Sequence, residues 1–426
     1  YIGILLMVVL TSFYFFPIEF TFLPGVNTKM AMAGFGLVVL AVQMALRRKP
    51  YVDEGIFRYS VIAIVISLIG FVAVTYNETS DYTYATYIVS MWVWLSGAYV
   101  VITLMRALHG YVSVELVCNY LIAVCTVQCI LALMIDSIPA FKVFVDTYVS
   151  GFGFVDTSQI SHGKRMYGIG AGLDVAGLRF SAVLCSIAFI TSRIASTTRK
   201  NYISVYLICF VIIALIGNMI ARTTTVGVIL AIAYWVYALL RPGSKQENTY
   251  LWKWLAGVIV VAQLIIVPLY NTSPTFKANT RFAFEGFFSL AEKGRWEVHS
   301  NEILKNMYVF PDNLKTWFIG DGYIENPIRT DPYYTGEIID GFYMGTDVGY
   351  LRFIFYFGIF GLLTFIYFFI ALTSNCIKKF PSQGVLFLLF LAVNLIGWFK
   401  VSTDIFLVFA PFQLINKEEN ESLAQE

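Results

Sequence analysis

Charged side chains are scarce in this sequence, and the features that are missing exclude several classes of protein. Only 13% of the residues are Asp, Glu, Lys or Arg, against about 25% in an ordinary soluble domain. Histidine occurs three times and neither an HExxH nor a DxD motif is present, so we expect no metal site and no other cofactor. No long basic run occurs, and a net charge of +2 does not favour nucleic acid as a partner.

The cysteines and the start of the chain exclude further features. The six cysteines lie in or beside apolar segments rather than in hydrophilic loops, which predicts neither a disulfide framework nor a CxxC metal site. The chain is apolar from Tyr1 onward, without a basic n-region or a small-residue cleavage site. Its start therefore does not resemble a signal peptide.

What the sequence has in excess is apolar residues, which make up 58% of the chain. They fall in blocks of roughly 16 to 24 residues, the length that crosses a bilayer as a helix. We therefore predict an all-α polytopic membrane protein, with one integral membrane domain over residues 1–426. About twelve transmembrane helices are predicted, at 1–16, 30–46, 57–76, 85–104, 112–135, 176–193, 202–220, 225–240, 252–270, 348–372, 383–399 and 402–415.

The placement of Lys and Arg predicts the orientation of these helices. Basic residues concentrate in alternate short loops, as in "RRKPYVDEGIFR" and "TSRIASTTRKN", whereas "NETSDYTY" has none. Basic loops stay in the cytoplasm, so both termini are expected there. Two longer loops, 136–175 and 271–347, then lie on the outer side of the membrane. The second is too long for a simple connection, which suggests that it carries function.

The first candidate site lies in "SHGKRMYGIGAGLDVAGLRF", residues 161–180. Glycine-rich backbone beside a helix start points N–H groups at an anion, and arginine adds paired donors for phosphate oxygens. Lys164, Arg165 and Arg179 are the basic candidates. The alternative is that the glycines allow close helix packing and Arg165 extends to lipid headgroups.

Further candidates follow along the chain. Arg222 is the basic residue of "NMIARTTTVG", a tight turn between two apolar segments, and an ionisable residue at membrane depth suggests a functional site. The stretch "FEGFFSLAEKGRWEVHSNEILKNMYVF" has the pattern of an amphipathic helix lying on the membrane. His299 within it and Asp347 after it are candidate general bases. The alternative for Arg222 is that it contacts lipid phosphate. The alternatives for His299 and Asp347 are that they are an ordinary interfacial and an ordinary loop side chain.

In their order and topology these pieces resemble a known family. The motifs are Arg165–Gly168 before a helix, Ala221–Arg222–Thr223 between two helices, Gly294–Arg295 in the large loop, Gly320–Gly322 further along it, and the run from Asp347 to Gly361. Residues 160–375 in this order resemble the O-antigen polymerase and O-antigen ligase superfamily of bacterial inner-membrane glycosyltransferases.

The resemblance implies a GT-C-like bundle that acts on glycans carried by undecaprenyl diphosphate at the periplasmic face. Its arginine motifs imply that Arg165 and Arg222 hold the diphosphate leaving group, assisted by Lys164, Arg179 and Arg295. We expect weaker contacts to the glycan from Trp296, Tyr323 and Arg352. The lipid-linked glycan is then donor and acceptor, and a chain-length regulator protein is a further possible partner.

Two departures from the family pattern bear on the activity. The ligase branch has a histidine in an HNxYL motif, and here "TDVGYL" places Asp347 at that position. The family's NPN stretch is also replaced, near Asp174. We therefore favour a metal-independent polymerase of oligosaccharide repeat units. A ligase that transfers glycan to lipid A–core, or a transporter of lipid-linked glycans, remains the alternative.

Overall fold

The fold is that of a helical membrane protein, as the sequence predicts. The computed structural model describes residues 2–46, 54–150, 165–194, 202–240, 245–327 and 342–422. Within these ranges the only sheet has two short antiparallel strands, β1 (Glu19–Phe20) and β2 (Val149–Ser150).

The first ten helices include most of the long apolar ones. They are α1 (Ile2–Phe15), α2 (Thr28–Ala45), α3 (Glu54–Tyr76), α4 (Tyr87–His109), α5 (Val114–Ser137), α6 (Pro139–Tyr148), α7 (Leu173–Ile194), α8 (Ile203–Ile220), α9 (Thr224–Leu240) and α10 (Lys245–Thr272).

The second part of the chain begins with four short helices and then returns to the bundle. Its helices are α11 (Pro274–Ala283), α12 (Glu285–Lys293), α13 (His299–Asn306), α14 (Leu314–Phe318), α15 (Gly349–Lys379), α16 (Gly384–Gly397), α17 (Phe406–Gln413) and α18 (Lys417–Ser422).

Each of the twelve predicted membrane segments coincides with a helix, but the count of twelve spans is not confirmed. Eight helices of the described chain are long and apolar enough to cross a membrane, namely α2, α3, α4, α5, α7, α8, α10 and α15. Three more, α1, α9 and α16, are apolar but shorter. Helix α17 has only eight residues, about 12 Å at 1.5 Å per residue, and is too short to span a bilayer.

Helix α7 is the centre of the bundle. It packs against α5, α8, α9 and α16, and its side chains are buried almost without interruption from Ala176 to Thr191. Gly227 on α9 allows a close contact with α7, because a β-carbon there would lie 2.2 Å from the backbone of Ser181. Close approach of this kind is what small residues permit between helices in a membrane.

The beginnings of α7 and α9, the short helices α11–α14 and the start of α15 meet at one end of the bundle. Thr223 contacts Asp174 there, and Arg222 contacts Phe282. We call this end the loop side. The predicted amphipathic stretch forms two helices rather than one, because the chain turns at Gly294 with a left-handed φ of 71°. Such a turn is favourable for glycine.

Helix α15 is broken near its loop-side end, and a turn of the large loop fills the break. Phe357 and Gly358 depart from helical geometry, with φ of 70° at Gly358. The "GDGY" turn docks there, and the N–H of Gly322 donates to the carbonyl of Tyr356 over 3.1 Å. Backbone groups freed by the break therefore regain partners. The loop-side half of α15 and the turn form one packed unit.

Candidate functional site

The aromatic ring of Phe282 brings two arginines together on the loop side. The guanidinium carbon of Arg222 lies 4.2 Å from the ring centroid, and that of Arg165 lies 5.4 Å from it. Arg222 comes from the α8–α9 turn and Arg165 from the segment before α7. Two predicted site residues, 57 positions apart by their numbers, therefore meet at one aromatic side chain. We call these three residues, together with Glu285, the Phe282 centre.

Glu285 is the carboxylate of this centre. It forms an ion pair with Arg222, and its other oxygen accepts a hydrogen bond of 3.1 Å from the backbone N–H of His299. Burial lowers the pKa of Arg222, and the charge of Glu285 opposes this effect. The Nε of Arg222 is buried and has no hydrogen-bond partner among the described residues. Since a buried donor without a partner is costly, the guanidinium has unused capacity to bind an anion.

Arg165 has unused capacity as well. Within the described ranges its guanidinium has no hydrogen-bond or ion-pair partner, and its contact is with the Phe282 ring. Arginine presents five N–H donors in a planar fork, which matches carboxylate and phosphate oxygens. The Phe282 centre thus combines two cations with one internal carboxylate.

Asp174 joins this centre to a second group of charges. It lies in the first turn of α7, where its backbone carbonyl accepts a hydrogen bond from the Thr223 hydroxyl over 3.2 Å. Its Oδ1 lies 3.5 Å from Nζ of Lys400. The Asp174 charge acts on Arg222 on one side and on Asp347 on the other. The first turn of the central helix is therefore the link between the arginines and the carboxylate at position 347.

Asp347 has the properties of a group that exchanges protons near neutral pH. Burial and then the charge of Asp174 raise its pKa to about 7, while Arg352 and Lys400 oppose the shift. Its Oδ1 is 3.8 Å from Nη1 of Arg352. A carboxyl group held between its charged and neutral forms suits a general base, because the best catalytic pKa lies near the working pH.

Arg352 and Tyr323 contribute to the structure of the loop. Arg352 is buried and donates to the carbonyl of Ile324 over 2.8 Å and to Glu325 over 3.1 Å. Tyr323 is buried too, with its ring 5.3 Å from that of Tyr343. Both side chains face protein in this state, so the predicted contact with glycan would require the loop to rearrange.

Arg295, Trp296 and the His299 side chain lie outside the two charged groups. Arg295 is exposed and pairs with Glu297 over 2.6 Å. Trp296 covers Gly286, where a β-carbon would lie 2.4 Å from the indole. His299 is exposed, and its backbone rather than its ring contacts Glu285. Lys164 lies outside the described residues.

Arg179 lies apart from Arg165 and Arg222. It is 8% exposed, and its Nη1 donates to the carbonyl of Phe15 at the end of α1. It is five residues beyond Asp174 on α7, a rise of about 7.5 Å along the helix. Its guanidinium stands 5.5 Å from the ring of Phe16. The predicted cluster of five basic residues is thus spread over more than one place.

Sequence reasoning missed three residues of this region. Phe282 carries no signal that separates it from the other aromatic residues of the loop. Glu285 likewise resembles the other charged residues of the loop. Lys400 does carry a signal, since it is a lone lysine between two short apolar runs, and an ionisable residue in that position suggests function.

Comparison with protein-family models, with curated proteins and with solved structures gives no match to this chain. The function must therefore be argued from the geometry of the site.

Proposed function

We propose that this protein polymerises oligosaccharide repeat units that are linked to undecaprenyl diphosphate. The observation that carries the proposal is the convergence of Arg165 and Arg222 on Phe282, which Asp174 links to the carboxyl group of Asp347. Two arginines suit a diphosphate, whose oxygens match their donors. A carboxyl group with a pKa near 7 suits the removal of a proton from a sugar hydroxyl.

In the proposed reaction a hydroxyl of the acceptor glycan attacks the anomeric carbon of the donor glycan. A new carbon–oxygen bond forms while the bond from the anomeric carbon to the diphosphate oxygen breaks. The bonding electron pair goes to the diphosphate, and Asp347 receives the hydroxyl proton. Arg165 and Arg222 stabilise the charge that grows on the departing diphosphate, so their effect is larger in the transition state than in the ground state.

The setting of this activity belongs to the same proposal. The resemblance in sequence suggests a GT-C-like enzyme of the bacterial inner membrane, with the loop side in the periplasm and both termini in the cytoplasm. Donor and acceptor are both lipid-linked glycans, and a chain-length regulator is a candidate protein partner. The apolar helices of the bundle support the membrane location itself.

Reconstituted liposomes with lipid-diphosphate-linked repeat units test the proposal directly. We expect a ladder of repeat multiples on a gel, persisting in EDTA, and a rate about 10²- to 10³-fold lower for Arg222→Ala. Arg281→Ala is the matched control, because Arg281 lies on the neighbouring helix α11 and pairs with exposed Glu292. A ladder unaffected by Arg222→Ala would refute the assigned role of the arginine.

Absence of a ladder from the intact protein would direct the experiment to the alternatives. A lipid A–core acceptor then tests the ligase. A transporter is favoured by one observation, the break in α15 at Gly358, since transporters bind substrate at discontinuous helices. Transfer of a lipid-linked glycan between leaflets, without elongation, would identify that activity.

A further inference from the structure

A second aromatic ring on the loop side also contacts two cations. Nζ of Lys29 lies 4.3 Å from the ring centroid of Trp94, and the guanidinium carbon of Arg179 lies 6.0 Å from it. The three residues come from α2, α4 and α7. We call them the Trp94 centre.

The Trp94 centre repeats the composition of the Phe282 centre. Each has one aromatic ring and two cations, and each contains an arginine whose buried Nε has no hydrogen-bond partner among the described residues, Arg179 here and Arg222 there. At 8% exposed, Arg179 is the more deeply buried of the two. An unpartnered donor at that depth is costly unless something occupies it.

The charges of the Trp94 centre do not balance. Asp404 is the carboxylate that acts on both Lys29 and Arg179. It forms no ion pair within 4.0 Å with either of them, and instead accepts a hydrogen bond of 2.8 Å from the N–H of Phe406 at the start of α17. Two cations and one carboxylate leave a surplus positive charge in a largely dehydrated place, where an unpaired charge is unfavourable. An anionic ligand would relieve it.

The centre is partly exposed. Lys29, Ser90 and Trp94 are each half-buried, with Nζ of Lys29 donating to the Ser90 hydroxyl over 3.2 Å, whereas Arg179 is buried. Helix α2 has little buried surface, so this side of the protein borders lipid. A ligand that arrives with a lipid tail can approach along that border.

We infer that the Trp94 centre binds the diphosphate of a second lipid-linked glycan, the acceptor of the transfer. This inference rests on the proposed polymerase function, which requires two lipid diphosphates at the same time. Only the donor diphosphate departs, so it belongs at the Phe282 centre, which Asp174 links to Asp347. The acceptor reacts at the far end of its glycan, and its diphosphate must be held away from the reacting atoms. Its contacts are the same in the ground state and the transition state, so they govern KM rather than kcat.

Counting bound ligands by native mass spectrometry tests the inference, with geranylgeranyl diphosphate as the probe and the full chain in detergent micelles. We expect two equivalents on the wild-type protein, one on Lys29→Gln, one on Arg222→Gln and none on the double variant. Lys293→Gln is the matched control, because this lysine is exposed and pairs with Glu297; it should keep both equivalents. Trp94→Leu leaves both charges in place and should weaken the second equivalent, even if Lys29→Gln were to fold poorly.

The other outcomes separate the two proposals. The wild type could instead bind one equivalent, which Arg222→Gln abolishes and Lys29→Gln does not. This result would refute the second site but would not contradict the proposed polymerase function. No equivalent on the wild type would contradict the proposed function itself. Displacement of the Lys29-dependent equivalent by excess phosphatidylglycerol would reassign the centre to a phospholipid headgroup. In the polymerisation assay, Lys29→Gln should raise KM for the acceptor and leave kcat within about twofold. A fall in kcat alone would contradict the inference.

Discussion

Nζ of Lys400 lies 3.5 Å from Oδ1 of Asp174, across 226 positions of the chain. The contact joins the segment between α16 and α17 to the first turn of α7. Both side chains also act on Asp347, in opposite directions: Asp174 raises the pKa of that carboxyl group and Lys400 lowers it. Substitution of either residue should therefore shift the pKa of Asp347, and the two shifts should have opposite signs.

The pH dependence of polymerisation should respond to this pair with opposite signs. If Asp347 accepts the proton, activity rises with pH as Asp347 loses its own, with a midpoint near its pKa of about 7. Asp174→Asn removes a charge that raises this pKa, so the rising limb should move to lower pH. Lys400→Gln removes a charge that lowers it, and the limb should move to higher pH. Rates measured from pH 5 to 9 check both, and shifts in the same direction would exclude Asp347 as the base.

Phe282→Leu should weaken the binding of a diphosphate. The ring orients both arginines through cation–π contacts. One such contact is worth about 0.5–2 kcal/mol, so we expect a Kd higher by roughly 2- to 30-fold for each contact on which binding depends. Titration with a prenyl diphosphate measures it. Phe288→Leu is the control, because Phe288 stands 4.9 Å from Arg281 in a similar pair on the exposed part of the loop. An equal loss in both variants would show that the effect is not specific to the site.

Glu285→Gln should strengthen the binding of the same ligand. The Glu285 carboxylate occupies donors of Arg222 that a diphosphate needs, and a hydrogen bond to a charged group is worth about 1.5–3 kcal/mol. Removing the competing charge should therefore lower Kd about tenfold or more. Glutamine keeps an oxygen for the N–H of His299. Glu292→Gln, which breaks the Arg281 pair, should change nothing, and weaker binding in Glu285→Gln would mean that Glu285 supports the ligand.

Gly358→Ala should destabilise the protein through the break in α15. The φ of 70° is left-handed, which costs an L-residue about 1–2 kcal/mol. The added β-carbon would also lie 2.3 Å from the carbonyl oxygen of Phe318. A lower apparent Tm in micelles is the expected result. Gly257→Ala on α10 meets nothing within 4 Å and should leave Tm unchanged or slightly higher, since alanine favours a helix.

The apolar pattern predicts where the membrane helices lie. A helix in lipid requires a long apolar run, and the loops of this chain have none. Segment 176–193 corresponds to α7 and segment 112–135 to α5 within a few residues. The pattern does not say whether a run is long enough to cross, as α17 illustrates. The apolar pattern alone also does not show that a helix ends at Gly294. That end has a separate signal, because a glycine after the last helical residue, here Lys293, commonly stops a helix.

The arginines of the Phe282 centre were predictable because a basic residue at membrane depth is unusual in any sequence. Their partners were not. Phe282 and Glu285 look like ordinary loop residues, and only the packing of α11 and α12 against the α8–α9 turn brings them to Arg222. Arg179 and Arg165 were predicted to hold the same diphosphate, although Arg179 falls in the predicted segment 176–193 and Arg165 in the loop before it. The structure places the first inside the bundle and the second at its loop-side end.

Helix α16 is apolar but shorter than the hydrocarbon core of a bilayer. Its fourteen residues give about 21 Å of length, against about 30 Å for a hydrocarbon core. Leu388 and Ile396 are exposed on its outer surface, so lipid meets this helix directly, and a bilayer adapts to a short helix by thinning. The chain leaves α16 on its way to Lys400. On this flank we expect the headgroups to be drawn toward the midplane, so that the charged groups of the site lie in a depression of the bilayer surface.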